Sequence, residues 1–146
     1  MGPVRVSVDI PQAIERVWEE AGALDRHAEW MADAQSIEFL GPERSGVGTR
    51  LRVATRLGPL HTIDELMVTA WEPPRRIEVE HHGRFRGWGR FHLEPLGPAR
   101  TRFTWEESIH FPWYLGGPLG ALAARPIFTW VWRRNLARFR ARLTYP

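Results

Sequence analysis

The stretch IFTWVWRRNLARFRARL, residues 127–143, decides the fold. Phe128, Trp132, Leu136, Phe139 and Leu143 recur at spacings of three and four, which places them on one face of a helix. Arg133 and Arg140 fall on the opposite face, and Arg134, Arg138 and Arg142 flank the stripe. Extending the wheel back through a helix from Gly117 to Pro146 sets Ala121 and, against the pattern, Arg125 on the apolar side. Pro126 removes one backbone donor and is expected to bend that helix or to start its regular part. A stripe this aromatic cannot stand in water, so a broad apolar surface has to cover it.

The segments upstream read as that cover. Val4, Val6, Val8 and Ile10 alternate with Arg5, Ser7 and Asp9, a half-buried strand. Pro11 opens a short helix with Ile14, Val17, Trp18 and Ala21 inside and Glu15, Arg16, Glu19 and Glu20 mostly outside. After Gly22, residues 24–31 read as a second short helical turn carrying His27 and Trp30. Strands follow at 36–40, 50–57, 60–71, 76–82, 85–93 and 101–111, punctuated by Gly41-Pro42, Gly58-Pro59, Pro73-Pro74, Gly83 and Gly97-Pro98. One strand, two short helices, six strands and a long helix make an α+β plan. The expected architecture is a curved seven-stranded antiparallel sheet wrapped around the C-terminal helix, in a single domain over 1–146.

Composition narrows the function. All 20 basic residues are arginine, and 17 acidic residues leave a net charge of only +3. No dense basic patch stands out, so no nucleic-acid partner is expected. The absence of Cys removes disulfides, thiolate nucleophiles and iron–sulfur ligation. His81 and His82 point to opposite faces of one strand, and His27, His61, His92 and His110 share no ligand spacing, so neither a metal nor another cofactor is expected. No run has the length of a signal peptide core or a membrane span. A cytoplasmic protein without stable membrane insertion, monomeric or homodimeric, is the expectation.

Several phrases are similar to one known family. Val8-Asp9-Ile10-Pro11 followed by Val17-Trp18, then Gly46-Val47-Gly48-Thr49, then VTAWEPPRR at 68–76 and the terminal helix resemble the START-related (SRPBCC) superfamily. This is the helix-grip fold of the major birch pollen allergen, polyketide cyclases and lipid-transfer domains, and the likeness is to the bacterial polyketide cyclase/dehydrase-like branch. It spans nearly the whole chain and implies a deep apolar cavity between sheet and helix that holds a small hydrophobic molecule.

Strand parity assigns the faces of that cavity. Ile77, Val79 and His81 share one face; Phe85, Gly87, Gly89, Phe91 and Leu93 point inward on the next strand, and Phe103, Trp105, Glu107, Ile109 and Phe111 on the last. A three-residue turn centred on Gly83 sets Glu80 opposite Arg86. Pairing Leu93 with Phe103 sets Arg90 beside Glu106 and Glu94 beside Arg102. Gly87 and Gly89 omit side chains where neighbours carry large ones, serving either sheet curvature or a ligand.

Glu107 and Arg125 aim charge at the interior, as a structural ion pair or as ligand and proton-transfer groups. Asp64 and His81 are lesser catalytic candidates, and Asn135 on the helix edge is a hydrogen-bond donor. The expected ligand-binding set is Gly87, Gly89, Phe91, Trp105, Glu107, Ala121, Arg125, Phe128 and Trp132. A binder of an aromatic or lipid-like molecule is the leading expectation. The alternatives are a polyketide cyclase or dehydratase using cavity acid and base groups, or a lipid carrier docking on membranes.

Overall fold

The computed structural model describes residues 3–144, so Tyr145 and Pro146, where the long helix was expected to end, lie outside the described residues. The elements run β1 (Val4–Ile10), α1 (Ile14–Ala21), a 3₁₀ turn (Leu24–Glu29), β2 (Ala34–Phe39), β3 (Arg50–Leu57), β4 (Leu60–Glu72), β5 (Arg76–His82), β6 (Arg86–Gly97), β7 (Arg100–His110), a second 3₁₀ turn (Trp113–Leu115) and α2 (Gly117–Thr144). Among the described residues the strands form one antiparallel sheet in the order β1-β7-β6-β5-β4-β3-β2. The α2 stripe packs on β1 and β7, and this is the expected helix-grip arrangement.

Burial follows the sequence period. Trp132, Leu136, Phe139 and Leu143 are buried and Phe128 is half-buried, while Arg133 and Arg140 are exposed. The helix runs through Pro126 as one element. Trp30, at the end of the first 3₁₀ turn, is fully buried. Its ring lies 4.9 Å from Phe139 and between 5.9 and 6.3 Å from Phe91, Trp105 and Phe103. Indole edges against aromatic faces at these separations are the favourable geometry. A smaller apolar cluster, Leu24, Leu51 and Val68, lies under β3 and β4.

Three local features depart from the expectation. Glu20 is buried, with Arg142 Nη2 at 2.7 Å, Arg26 at 3.2 Å and Arg16 at 3.8 Å. A buried carboxylate needs such partners, and Arg142 lies far along the chain, out of reach of any local pattern. On the outer face Arg90 bridges Glu78 and Glu106 as the β6–β7 register required, but Arg102 turns from Glu94 to Asp9 at 3.0 Å.

The third departure is the β5–β6 register. Glu80 pairs with Trp88 rather than Arg86, and His81 with Gly87. The turn is two residues longer because Asp64 of β4 reaches across to accept the Arg84 backbone N–H at 2.9 Å. A two-residue shift keeps every side chain on its own face, so the inward set is unchanged.

Phe139→Ala is expected to cost about 3–5 kcal/mol of unfolding free energy, whereas Ile127→Ala on the exposed side of α2 changes it by less than about 0.5 kcal/mol. Equal losses in urea titrations would contradict the assignment of the buried face.

Candidate functional site

Between the sheet and α2 lies a cavity of about 160 Å³. Leu51, Val53, Leu66, Ile77, Val79 and Phe91 form much of its sheet wall, and Phe128 and Trp132 face it from the helix. Trp105 stacks on Trp132 at 5.3 Å, and Trp132 on Phe128 at 5.3 Å with rings nearly parallel. A second hollow of about 260 Å³ lies toward the start of α2 and is bordered by Val4, Phe111, Pro118, Ala121 and Arg125. Glu107, Ile109, Phe128 and Trp132 belong to both walls.

The two inward glycines divide their roles. Gly89 sits between Val79 and Glu107 in the sheet and lines the first cavity. A β-carbon there would come within 3.0 Å of Glu107 Oε1 and 3.3 Å of Val79 Cγ2, so bulk at this point goes into the hollow or displaces its wall. Gly87 lines neither hollow. Its φ of +141° and a β-carbon position 1.8 Å from the Ser108 carbonyl oxygen make it a backbone necessity, where β6 and β7 approach too closely for a side chain.

Polar groups gather in one part of the apolar cavity. His81 Nε2 lies 3.5 Å from Glu107 Oε1, the outer limit of hydrogen bonding, and has no closer partner among the described residues. Burial by itself would lower the His81 pKa, but the adjoining Glu107 carboxylate and the more distant Asp64 charge outweigh it and raise it above the ordinary 6.5. Asp64 also lines the cavity, where it accepts from Thr62 Oγ1 at 3.1 Å and from the Arg84 N–H. Arg125, by contrast, borders the second hollow and donates to the Pro3 carbonyl oxygen at 3.4 Å.

Two further polar residues of the first cavity had no sequence signature of their own. Asp33 stands just before β2, and Asn135 Nδ2 donates to its Oδ1 at 2.8 Å. Asn135 Oδ1 accepts the Ala32 N–H at 3.0 Å, so this one fully buried amide fastens α2 to the start of β2. Burial raises the Asp33 pKa, and Glu107 adds to the rise; the Asn135 hydrogen bond partly opposes it. His27, packed against Trp30 and Phe91, places Nε2 2.8 Å from the Ala21 carbonyl oxygen. A carbonyl accepts, so Nε2 carries the proton. Desolvation lowers this pKa to about 4 and keeps the ring neutral. Among the described residues no cluster of three His, Asp or Glu side chains could hold a metal ion.

The two histidines give opposite pH dependence. His27 is depressed from 6.5 to about 4, so the unfolded chain takes up a proton that the folded chain refuses. Stability from this source falls as pH drops from 6.5 toward 4, by up to about 3 kcal/mol. His81 is raised, so its contribution is complete below pH 6.5 and is lost as pH climbs through its folded value. Urea unfolding across pH should show His27→Gln flattening the acid limb and His81→Asn the alkaline limb. An acid limb as steep in His27→Gln as in the parent would overturn the neutral assignment.

Structures of similar fold are found in several bacteria. The protein TTHA0849 from Thermus thermophilus superposes with a TM-score of 0.76 at 21% identity, over 97% of this chain and 96% of that one. A START superfamily protein from Mycobacterium smegmatis gives 0.72 at 16% identity, covering 98% and 97%. The Zhui aromatase/cyclase from Streptomyces sp. R1128 gives 0.71 at 18% identity, covering 97% and 92%. At these identities the likeness is one of fold. A search of curated proteins finds no match to this chain. The family model described as polyketide cyclase / dehydrase and lipid transport matches residues 1–144, and the chain belongs to that family.

Proposed function

We propose that the protein binds a small, mostly apolar molecule in the cavity between the sheet and α2, with one polar group of that molecule set against Glu107 and Asp33. The observation that carries this reading is the hollow itself: protein interiors are close-packed, and here aromatic and aliphatic walls surround about 160 Å³ that they do not fill. Cavities of about 150 Å³ take up benzene, so the first hollow suits one aromatic ring, and a molecule of two or three rings would reach on into the second hollow past Glu107, Ile109, Phe128 and Trp132. The polar cluster sets the preference. Asp33, Asp64 and Glu107 line the cavity with His81, while His27 is bonded to the Ala21 carbonyl oxygen and Arg90 is paired with Glu78 and Glu106, a balance that favours a hydroxyl or another hydrogen-bond donor over a carboxylate. The Arg125 site for an acidic group belongs, on this reading, to the second hollow.

The neutral dye N-phenyl-1-naphthylamine tests the assignment. The parent protein should bind it saturably with enhanced fluorescence. Gly89→Leu should weaken that binding at least tenfold while keeping the parent circular dichroism spectrum, with an overpacking cost of about 1–3 kcal/mol. Leu66→Trp fills the same cavity from another strand and serves as a second variant. A folded variant that takes up the dye as well as the parent would remove the cavity from consideration.

The His81–Glu107 pair favours a second reading, a proton-transfer enzyme of the cyclase or dehydratase kind. In its protonated form, which the neighbouring Glu107 favours, His81 can give a proton to a departing β-hydroxyl so that it leaves as water, while a carboxylate beside it takes one from the α-carbon. Dehydration of a simple β-hydroxy ketone, followed by enone absorbance, is the assay. His81→Asn and Glu107→Gln should each lower a rate above background by about 10²–10⁴-fold, with dye affinity preserved. No rate above background in the parent would leave the protein a binder.

A further inference from the structure

The outer face of the second 3₁₀ turn and of the first half of α2 is apolar, and the buried site makes no use of it. Trp113 is 86% exposed, Leu119 77% and Trp130 59%, and Tyr114, Leu122 and Ile127 are exposed beside them. On a helix of 3.6 residues per turn, Leu119, Leu122, Ala123, Pro126, Ile127 and Trp130 form one stripe opposite Phe128 and Trp132. It is about 16 Å long from Leu119 to Trp130. The same stripe continues into Arg133, Arg134, Ala137 and Arg138, all exposed. Soluble surfaces seldom gather this much contiguous apolar and aromatic area without a use for it.

The charge on this face selects the occupant. The chain has no acidic residue after Glu107, so α2 carries six arginines and no carboxylate. Arg142 is tied to Glu20 and Glu29, Arg140 to the Asp9 carbonyl and Arg125 to that of Pro3. Arg133, Arg134 and Arg138 enter no ion pair among the described residues; Arg134 instead lies 4.7 Å over the ring of Trp130. We propose that this face docks on an anionic lipid bilayer, with Trp113, Tyr114, Leu119 and Trp130 at the headgroup–acyl boundary and Arg133, Arg134 and Arg138 among the phosphates.

Tryptophan and tyrosine favour that boundary, and an apolar stripe bordered by cations is the pattern of a helix lying in the interface. No helix among the described residues is long and apolar enough to cross a membrane, so the contact is peripheral. A second copy of the chain is a poorer occupant. Stripe against stripe in either direction would bury arginines against apolar side chains or against one another, with no carboxylate from this segment to neutralise them. The same stretch also reaches the interior: Phe111, Pro118 and Ala121 border the second hollow. A docked protein therefore holds that hollow close to the lipid.

Sedimentation with vesicles of phosphatidylcholine alone, or mixed with phosphatidylglycerol, tests this. The parent should bind the mixed vesicles and release them as salt rises, with a blue shift of tryptophan emission. Arg133→Gln, Arg134→Gln and Arg138→Gln together should weaken that binding about a hundredfold, near fivefold for each charge. Trp113→Ser with Trp130→Ser should remove the blue shift. All five positions are exposed, so thermal melting and naphthylamine uptake should match the parent, which separates this proposal from the cavity reading. Equal binding to both vesicle types, no binding to either, or a homodimer in ultracentrifugation that Trp130→Ser dissociates would each overturn it.

Discussion

The indole of Trp30 touches the sheet through Phe91, Phe103 and Trp105 and the long helix through Phe139, and so sets the distance between the two layers. Around it the gap is filled by rings meeting edge to face. Farther toward the start of α2, Phe128 and Trp132 stack on one another, and the strand beneath carries Gly89 where a large residue would be needed to close the gap. One wedge thus produces both a solid core and a hollow beside it, because a rigid helix held off a curved sheet at one place stays off it along its length. Asn135 pins the arrangement from the other direction, committing both ends of its amide to the entry to β2.

The chemistry of the hollow follows from the burial of its polar groups. His27 and His81 begin from the same ordinary pKa and move apart, since His27 finds only a carbonyl oxygen whereas His81 finds a carboxylate. Asp33 moves up because burial disfavours its charged form, with Glu107 adding to the rise. Arg90, Arg102 and Arg142 are tied to Asp9, Glu20, Glu78 and Glu106, so these ion pairs and the His81–Glu107 pair of the cavity form separate systems.

Much of this was legible in the sequence, and physics explains what was not. The α2 stripe and the strand faces repeat with the period of their own backbone, so Phe128, Trp132, Glu107 and His81 could be aimed correctly without coordinates. The β6–β7 register was readable too, because Leu93 and Phe103 have to share one core face. The β5–β6 turn was not, since its length depends on Asp64 reaching over from a third strand. Glu20 and Asp33 were opaque for the same reason. Each is an acid in an unremarkable local pattern, withdrawn from water beside a partner, Arg142 or Asn135, that arrives from more than a hundred residues away. Gly87 and Gly89 look alike in sequence and part company only when the Ser108 carbonyl is seen beside one of them.

The partition between the two hollows has a thermodynamic meaning. Glu107, Ile109, Phe128 and Trp132 have one side toward each, so no rotamer of Trp132 or Glu107 is private to either compartment. An occupant that fixes the carboxylate from one side decides what the other side is offered, in shape and in charge. Linkage makes that influence reciprocal: whatever free energy the first chamber's guest exerts on the second, the second's guest exerts equally on the first. Were both hollows filled, that common wall of four side chains would couple their guests.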